Sequence, residues 1–169
     1  MTSPMYTNSV PVFKQLLTAM KTNLRTTAAE VAARSMSADA FLQARLYPDM
    51  FPLVKQVQIA CDFARGISAR LAGVGVPAHD GGEASFEDLD ALLDTTLAFI
   101  GGLEAATFAG SEGREIVLRP GTPKERKLGG QAYLSTYGLP QFFFHVTTTY
   151  AILRHNGVAI GKKDFMGAY

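Results

Sequence analysis

The sequence is poor in the residues that small proteins most often use for redox and metal chemistry. Of its 169 residues, one is cysteine (Cys61), three are histidines and none is tryptophan. A single cysteine excludes an intrachain disulfide and any zinc site built from several thiolates. Cys61 falls on the inner apolar stripe of a predicted helix, where a buried thiol serves packing far more often than nucleophilic catalysis.

An excess of charge of one sign is also absent. The chain has 16 basic and 15 acidic residues, for a formal net charge of +1. A general nucleic-acid binder needs a concentrated basic field to displace counterions. We therefore expect no nucleic-acid partner.

Long hydrophobic runs are missing as well. A membrane-spanning helix needs about 18 or more consecutive apolar residues, and the Phe-rich segment at 139–157 is interrupted by His145 and three threonines. The first nine residues carry neither a basic region nor an apolar run, so they do not resemble a signal peptide. With a single cysteine and no leader, we expect a cytoplasmic protein without a membrane partner.

Four amphipathic patterns are present in the chain. Apolar residues at steps of three and four predict helices, and these cover 9–34, 49–71, 85–103 and 130–155. A connector at 37–46 is expected to hold a short helical turn. Ser85 and Asp88 form a capping-box pattern at the start of the third helix. Pro140 predicts a kink or restart in the fourth.

The one strand-like segment precedes the fourth helix. Residues 115–118 and 125–128 flank Pro120-Gly121, which predicts a β-hairpin. This ribbon either covers the bundle as a solvated element or serves as a ligand-binding flap. The fold class is therefore all-α, a four-helix bundle with a short β-hairpin before the last helix. The length fits a single four-helix-bundle domain over 1–169.

Among the three histidines, His145 is the best candidate for a polar site. A helical wheel places it at the edge of the apolar core, either as a hydrogen-bonded core histidine or as a site residue. His155 lies ten residues later and farther towards solvent, so one helix cannot present both to a metal. His79, in a Gly-rich loop beside Asp80, is expected at the surface.

Two further features suggest partners. Tyr47 and Asp49, near the start of the second helix, are placed to close one end of the bundle as ligand-binding residues. The triplet Phe142–Phe144 points in three directions on a helix, so at least one ring should leave the core, and Tyr133 and Tyr137 are expected to extend that surface. We therefore expect a homodimer.

Two runs of sequence, residues 44–64 and 139–157, resemble an uncharacterised bacterial and fungal family, a domain of unknown function within the DinB-like superfamily of four-helix bundles. The resemblance implies the bundle fold and no established activity. Many DinB-like proteins bind a divalent metal through three histidines, one on the second helix and a His-x-x-x-His pair on the last. Some act as metal-dependent thiol transferases or hydrolases.

The resemblance places His145 at the first position of the histidine pair, Thr149 at the second and Gln56 at the second-helix position. One imidazole, one amide and one hydroxyl bind transition metals weakly. We therefore predict no cofactor, and a ligand-binding or interaction module that has lost the metal site. The candidate ligand-binding residues are His145, Gln56, Thr149, Asp49 and Tyr47. The alternative is a DinB-like enzyme whose divalent metal is held by a rearranged site, with His145 joined by His79 or Asp49.

Overall fold

The computed structural model describes residues 2–169. Its α-helices are α1 (Pro4–Thr7), α2 (Val10–Ala33), α3 (Ala38–Leu42), α4 (Leu53–Ala72), α5 (Phe86–Gly101), α6 (Gly130–Ala132), α7 (Leu139–His155) and α8 (Lys162–Met166). A 3-10 turn covers Ala105–Phe108, a π-helical segment covers Tyr133–Gly138, and the strands are β1 (Glu115–Leu118) and β2 (Arg126–Gly129).

The four long helices form the predicted bundle. α4 packs against both α5 and α7, and α2 packs against the same two helices from the opposite side. The core between them is apolar and includes fully buried Phe13, Leu17, Val57, Leu93 and Phe142. Within residues 2–169, no helix has the length and apolarity needed to cross a membrane.

Two short helices, α1 and α8, escaped the sequence analysis. Each has only four or five residues, too few to show a helical period. Side chains cap both: the Ser3 hydroxyl accepts a hydrogen bond from the Met5 amide at 3.2 Å, and the Asp164 carboxylate accepts one from the Gly161 amide at 2.7 Å. Local capping therefore stabilises segments that periodicity cannot reveal.

The helix α4 begins at Leu53 and not at Asp49 as predicted. Pro52 has no amide hydrogen to donate and disfavours helical geometry at the residue before it, so the chain stays extended until the helix starts. The other end stops at Gly73, which takes a left-handed φ of 75°. There the Arg114 guanidinium donates to the carbonyl oxygen of Arg70 at 3.2 Å and to that of Leu71.

The helix α5 starts as its capping pattern predicts. The Ser85 hydroxyl accepts a hydrogen bond from the Asp88 amide at 3.0 Å, and the Asp88 carboxylate accepts one from the Ala84 amide at 3.1 Å. The helix ends at Gly101, two residues before the predicted end at 103, because a second glycine follows.

The β-hairpin is present, with its second strand one residue later than expected. Glu115 pairs with Gly129 and Leu118 pairs with Arg126 in an antiparallel register. The hairpin is fixed to the bundle at Gly130, where a Cβ atom would lie 1.8 Å from the Ser111 carbonyl oxygen. Only a glycine allows this close approach of two backbone segments.

The predicted kink at Pro140 takes another form. Pro140 lies in the first turn of α7, where its missing amide hydrogen costs little. The irregularity is the π-helical segment before it, which brings Gly138 close to α4. A Cβ atom at Gly138 would lie 2.7 Å from the Ile67 Cδ1 atom. The wide turn therefore accommodates a close helix contact.

Candidate functional site

His145 and Gln56 meet in the interior of the bundle, on facing sides of α7 and α4. The His145 Nδ1 atom lies 2.7 Å from the Gln56 Oε1 atom. The Gln56 Nε2 atom donates to the carbonyl oxygen of Phe51 at 3.0 Å, and this bond orients the amide. Because the amide oxygen can only accept, Nδ1 carries the hydrogen. We refer to these two residues as the His145–Gln56 pair.

The remaining ring nitrogen of His145 is then an acceptor. No residue in 2–169 forms a hydrogen bond with Nε2, and it is not among the fully buried, unpartnered polar atoms of that range. Nε2 therefore keeps contact with solvent, although the residue as a whole is only 7% exposed. Burial lowers the pKa of His145. The structure thus presents a neutral imidazole whose Nε2 atom can accept a hydrogen bond or a proton.

Aromatic rings surround the imidazole. Phe63 stacks on it with ring centroids 5.9 Å apart, and Phe144 meets it edge-on at 5.2 Å. Phe51, whose carbonyl orients Gln56, is 55% exposed and Phe144 is 54% exposed. We call Phe63 and Phe144, whose rings contact the imidazole, the aromatic rim. Phe144 therefore offers exposed aromatic surface directly beside the imidazole.

The other candidate residues lie outside this arrangement. The buried Thr149 hydroxyl donates to the His145 carbonyl oxygen, one turn back on its own helix, at 2.9 Å. Tyr47 and Asp49 are exposed on the loop before α4. No hydrogen bond joins Tyr47 or Asp49 to the His145–Gln56 pair in the described range.

His79 is half-buried and belongs to a separate polar cluster. Its Nδ1 atom lies 2.9 Å from the Asp62 carboxylate and its Nε2 atom lies 2.8 Å from the Glu83 carboxylate. Gln58 donates to Glu83 at 2.8 Å. Burial acts to raise the pKa of Glu83, but the hydrogen bonds from His79 and Gln58 outweigh it, so the pKa is lowered. The cluster fixes the loop between α4 and α5 against α4.

The structure corrects two expectations about which side chains are exposed. His79 was expected at the surface, yet its side chain is held between two carboxylates because the Gly-rich loop folds back on α4. Both ring nitrogens are engaged there, so His79 does not join His145. Tyr133 was expected to extend an exposed surface, whereas the π-helical segment turns it inwards until it is 1% exposed.

A metal does not fit the residues at the His145–Gln56 pair. The Gln56 amide oxygen already accepts from His145, and the Thr149 hydroxyl donates to the backbone. No group of three or more His, Cys, Asp or Glu side chains could hold a metal ion within 2–169. Cys61 offers no reactive thiolate, because burial raises its pKa to about 12. The site chemistry therefore rests on one neutral imidazole.

Comparison with known proteins places the chain in a family. Residues 5–166 match a domain of unknown function, DUF1993. The chain belongs to the DUF1993 family. It is similar to a DinB family member protein from Shewanella denitrificans, whose crystal structure superposes with a TM-score of 0.90 at 34% sequence identity. The match covers 97% of this DUF1993 chain and 92% of the other. Functionally curated proteins gave no match.

Proposed function

We propose that this DUF1993 chain is a metal-independent binding module whose site is the His145–Gln56 pair with its aromatic rim. The observation that carries the proposal is the pair of hydrogen bonds from Phe51 through Gln56 to His145. These bonds fix the imidazole tautomer before any ligand arrives. A preorganised acceptor binds with less loss of conformational freedom than a mobile one.

The chemistry of the pair defines the ligand. A neutral Nε2 atom accepts a hydrogen bond from an N–H or O–H group, and the rim offers aromatic faces and edges to a flat apolar body. The ligand class is therefore a small organic molecule that carries a hydrogen-bond donor on a ring. Specificity should come from the donor, because a ligand without one would cover Nε2 and leave this acceptor unpaired, which costs free energy.

Phenol and anisole form a matched pair of probes for this site. Both present a benzene ring, but the methyl ether of anisole removes the O–H donor. We expect phenol to shift the His145 imidazole signals in long-range ¹H–¹⁵N NMR spectra and the backbone amide signal of the adjacent Phe144, and anisole to shift both much less. In His145→Phe, which keeps an aromatic ring and removes Nε2, phenol and anisole should shift the Phe144 amide equally. Arg34→Gln, at an exposed position after α2, is the control.

The same spectra test the tautomer directly. In the free protein, the hydrogen should reside on Nδ1, and Gln56→Leu should release this preference. A hydrogen on Nε2 in the free protein, or equal responses to phenol and anisole, would contradict the proposal. No observation in the structure favours the alternative of a metal-dependent enzyme.

A further inference from the structure

A cleft separates the β-hairpin from the bundle on a side that the His145–Gln56 pair does not reach. Its inner cavity, of about 200 Å³, lies between α4, the π-helical segment and the end of β1. An outer cavity of about 530 Å³ continues beneath the hairpin loop. The two share Leu118, Arg119 and Tyr137. Together they fall within the roughly 300–1,000 Å³ of small-molecule sites.

Two residues of the inner cavity, Arg70 and Tyr133, hold uncommitted hydrogen-bond donors. Arg70 donates through Nη1 to the Tyr133 hydroxyl at 3.4 Å and to the Gly66 carbonyl oxygen at 3.0 Å, and its other nitrogens have no partner in residues 2–169. The Tyr133 hydroxyl accepts from Arg70 and donates to no residue of that range. Burial raises the pKa of Tyr133, which keeps its hydrogen in place. These donors favour a ligand that supplies acceptors.

The charged side chains of the cleft also favour an anionic ligand. The side chains of Arg119, Lys124 and Arg126 line the cleft without an ion pair or hydrogen bond to any residue of the described range. Each of its two carboxylates has one oxygen engaged. Asp62 accepts from Arg65 at 2.5 Å and contacts His79 through that same oxygen, and Glu125 accepts from the Gly121 amide at 2.7 Å. With Arg70, four cationic side chains line the cleft against these two carboxylates, so its net charge is positive.

The walls of the inner cavity are aromatic. Phe63 and Tyr137 meet at a centroid distance of 6.0 Å, and Tyr137 stacks with Tyr133 at 5.8 Å. Guanidinium groups beside such rings suit a planar ligand that carries an anionic group, since arginine matches carboxylate and phosphate geometry.

Two backbone features at the cleft are unfavourable for local stability. Arg119 has a left-handed φ of 50°, which glycine or asparagine adopts more easily. Gly66 lies in the middle of α4, where alanine would favour the helix, yet a Cβ atom there would come within 2.6 Å of the Arg70 Nη1 atom. Both positions retain a residue that is unfavourable for the local backbone.

We propose that the cleft between the β-hairpin and the bundle binds a small aromatic molecule that bears a carboxylate or phosphate group. The guanidinium groups of Arg70 and Arg119 and the Tyr133 hydroxyl hold the anionic oxygens, and Phe63 and Tyr137 contact the ring. Only Phe63 is shared with the aromatic rim, so this proposal does not rest on the proposed function.

Four benzene derivatives test the cleft by ¹H–¹⁵N NMR titration of the full chain. Benzoate and phenyl phosphate carry the two anionic groups, whereas benzamide is neutral and benzylamine is cationic. We expect the two anions to shift the backbone amides of Gly66, Leu118, Arg119 and Tyr137, and the relative size of their effects to tell carboxylate from phosphate. Benzamide and benzylamine should bind at least about tenfold more weakly, because they forgo charge-assisted hydrogen bonds.

Variants of the cleft separate binding from folding. Arg119→Gly should raise the melting temperature by relieving the left-handed backbone and weaken the binding of the anions at least about tenfold. Gly66→Ala introduces a better helix former into α4 and should weaken the same binding by displacing Arg70. Arg34→Gln, with the same loss of charge at an exposed site, should leave it unchanged. Equal shifts by benzoate and benzylamine, or benzoate binding unaffected by both cleft variants, would overturn the proposal.

Discussion

His145 is the residue on which the account depends, and its titration makes the first prediction. Burial lowers its pKa in the folded chain below the ordinary value of about 6.5. The unfolded chain therefore takes up the proton more readily as the pH falls through that value. The resulting contribution to stability is fully present above the unfolded pKa and is lost towards the lower folded pKa.

The replacement His145→Asn isolates this effect, because the asparagine amide can still donate to Gln56 but does not titrate. Denaturant unfolding at about pH 7.5 and about pH 5 should show a larger loss of unfolding free energy in the wild type than in the variant. Equal losses in the two proteins would mean that the imidazole is not shielded from water.

Gln56 gives a second prediction at the residue scale. Gln56→Leu leaves the His145 Nδ1–H group buried without its acceptor, so it should lower the unfolding free energy by about 1–3 kcal/mol. Adding His145→Phe removes the unpaired donor, and the double variant should be more stable than the sum of the two single losses. Chemical denaturation of all four proteins measures this coupling. Strict additivity would show that the two side chains do not interact.

At the scale of elements, the junction between the hairpin and the bundle is the most constrained position. Gly130→Ala would force a Cβ atom against the Ser111 carbonyl oxygen, and neither backbone segment can move without disturbing its neighbours. We expect a loss of about 1–3 kcal/mol or more. Gly129→Ala is the matched control, since its nearest atom, the Glu112 carbonyl oxygen, lies 3.8 Å away. Thermal unfolding that ranks the two variants equally would contradict this account of the junction.

Elements that are determined by neighbouring residues in the sequence could be predicted, whereas elements that depend on distant contacts could not. The long helices and the hairpin follow from apolar periodicity and from turn and capping residues such as Ser85 and Gly121. The late start of α4 was also readable, because Pro52 precedes Leu53 directly. The π-helical segment could not be predicted, because it depends on the contact of Gly138 with Ile67, which is distant in the sequence.

The candidate site shows the same division. The wheel placed His145 at the edge of the core, and the family resemblance suggested Gln56 as its neighbour. Neither could show which ring nitrogen carries the hydrogen, because a carbonyl on the loop before α4 decides it. The clustering of His79 with Asp62 and Glu83 likewise needs the loop to fold back onto α4, which no local pattern signals.

For the whole molecule, the exposed Phe143 of α7 supports the expectation of a homodimer. Phe143 is 39% exposed on a helix whose neighbouring Phe142 is fully buried. Burying the Phe143 ring against a second copy would remove apolar surface from water. We expect the wild type to elute as a dimer in size-exclusion chromatography with light scattering, and Phe143→Glu to elute as a monomer.

A control at another exposed apolar position makes this test specific. Val76→Glu introduces the same charge on the loop after α4, where the side chain is 43% exposed. It should leave the dimer intact. A wild type and a Phe143→Glu variant that are both monomeric would end the dimer prediction.

The central claim is that the bundle binds without a metal, and metal analysis tests it most directly. Protein purified without a histidine tag and incubated with Zn²⁺ should retain less than one equivalent after dialysis. The double variant Gln56→His/Thr149→His, which supplies two further imidazoles facing His145, should retain about one equivalent and unfold at a higher temperature. Stoichiometric zinc, nickel or iron in the wild type that is lost in His145→Ala would contradict the claim.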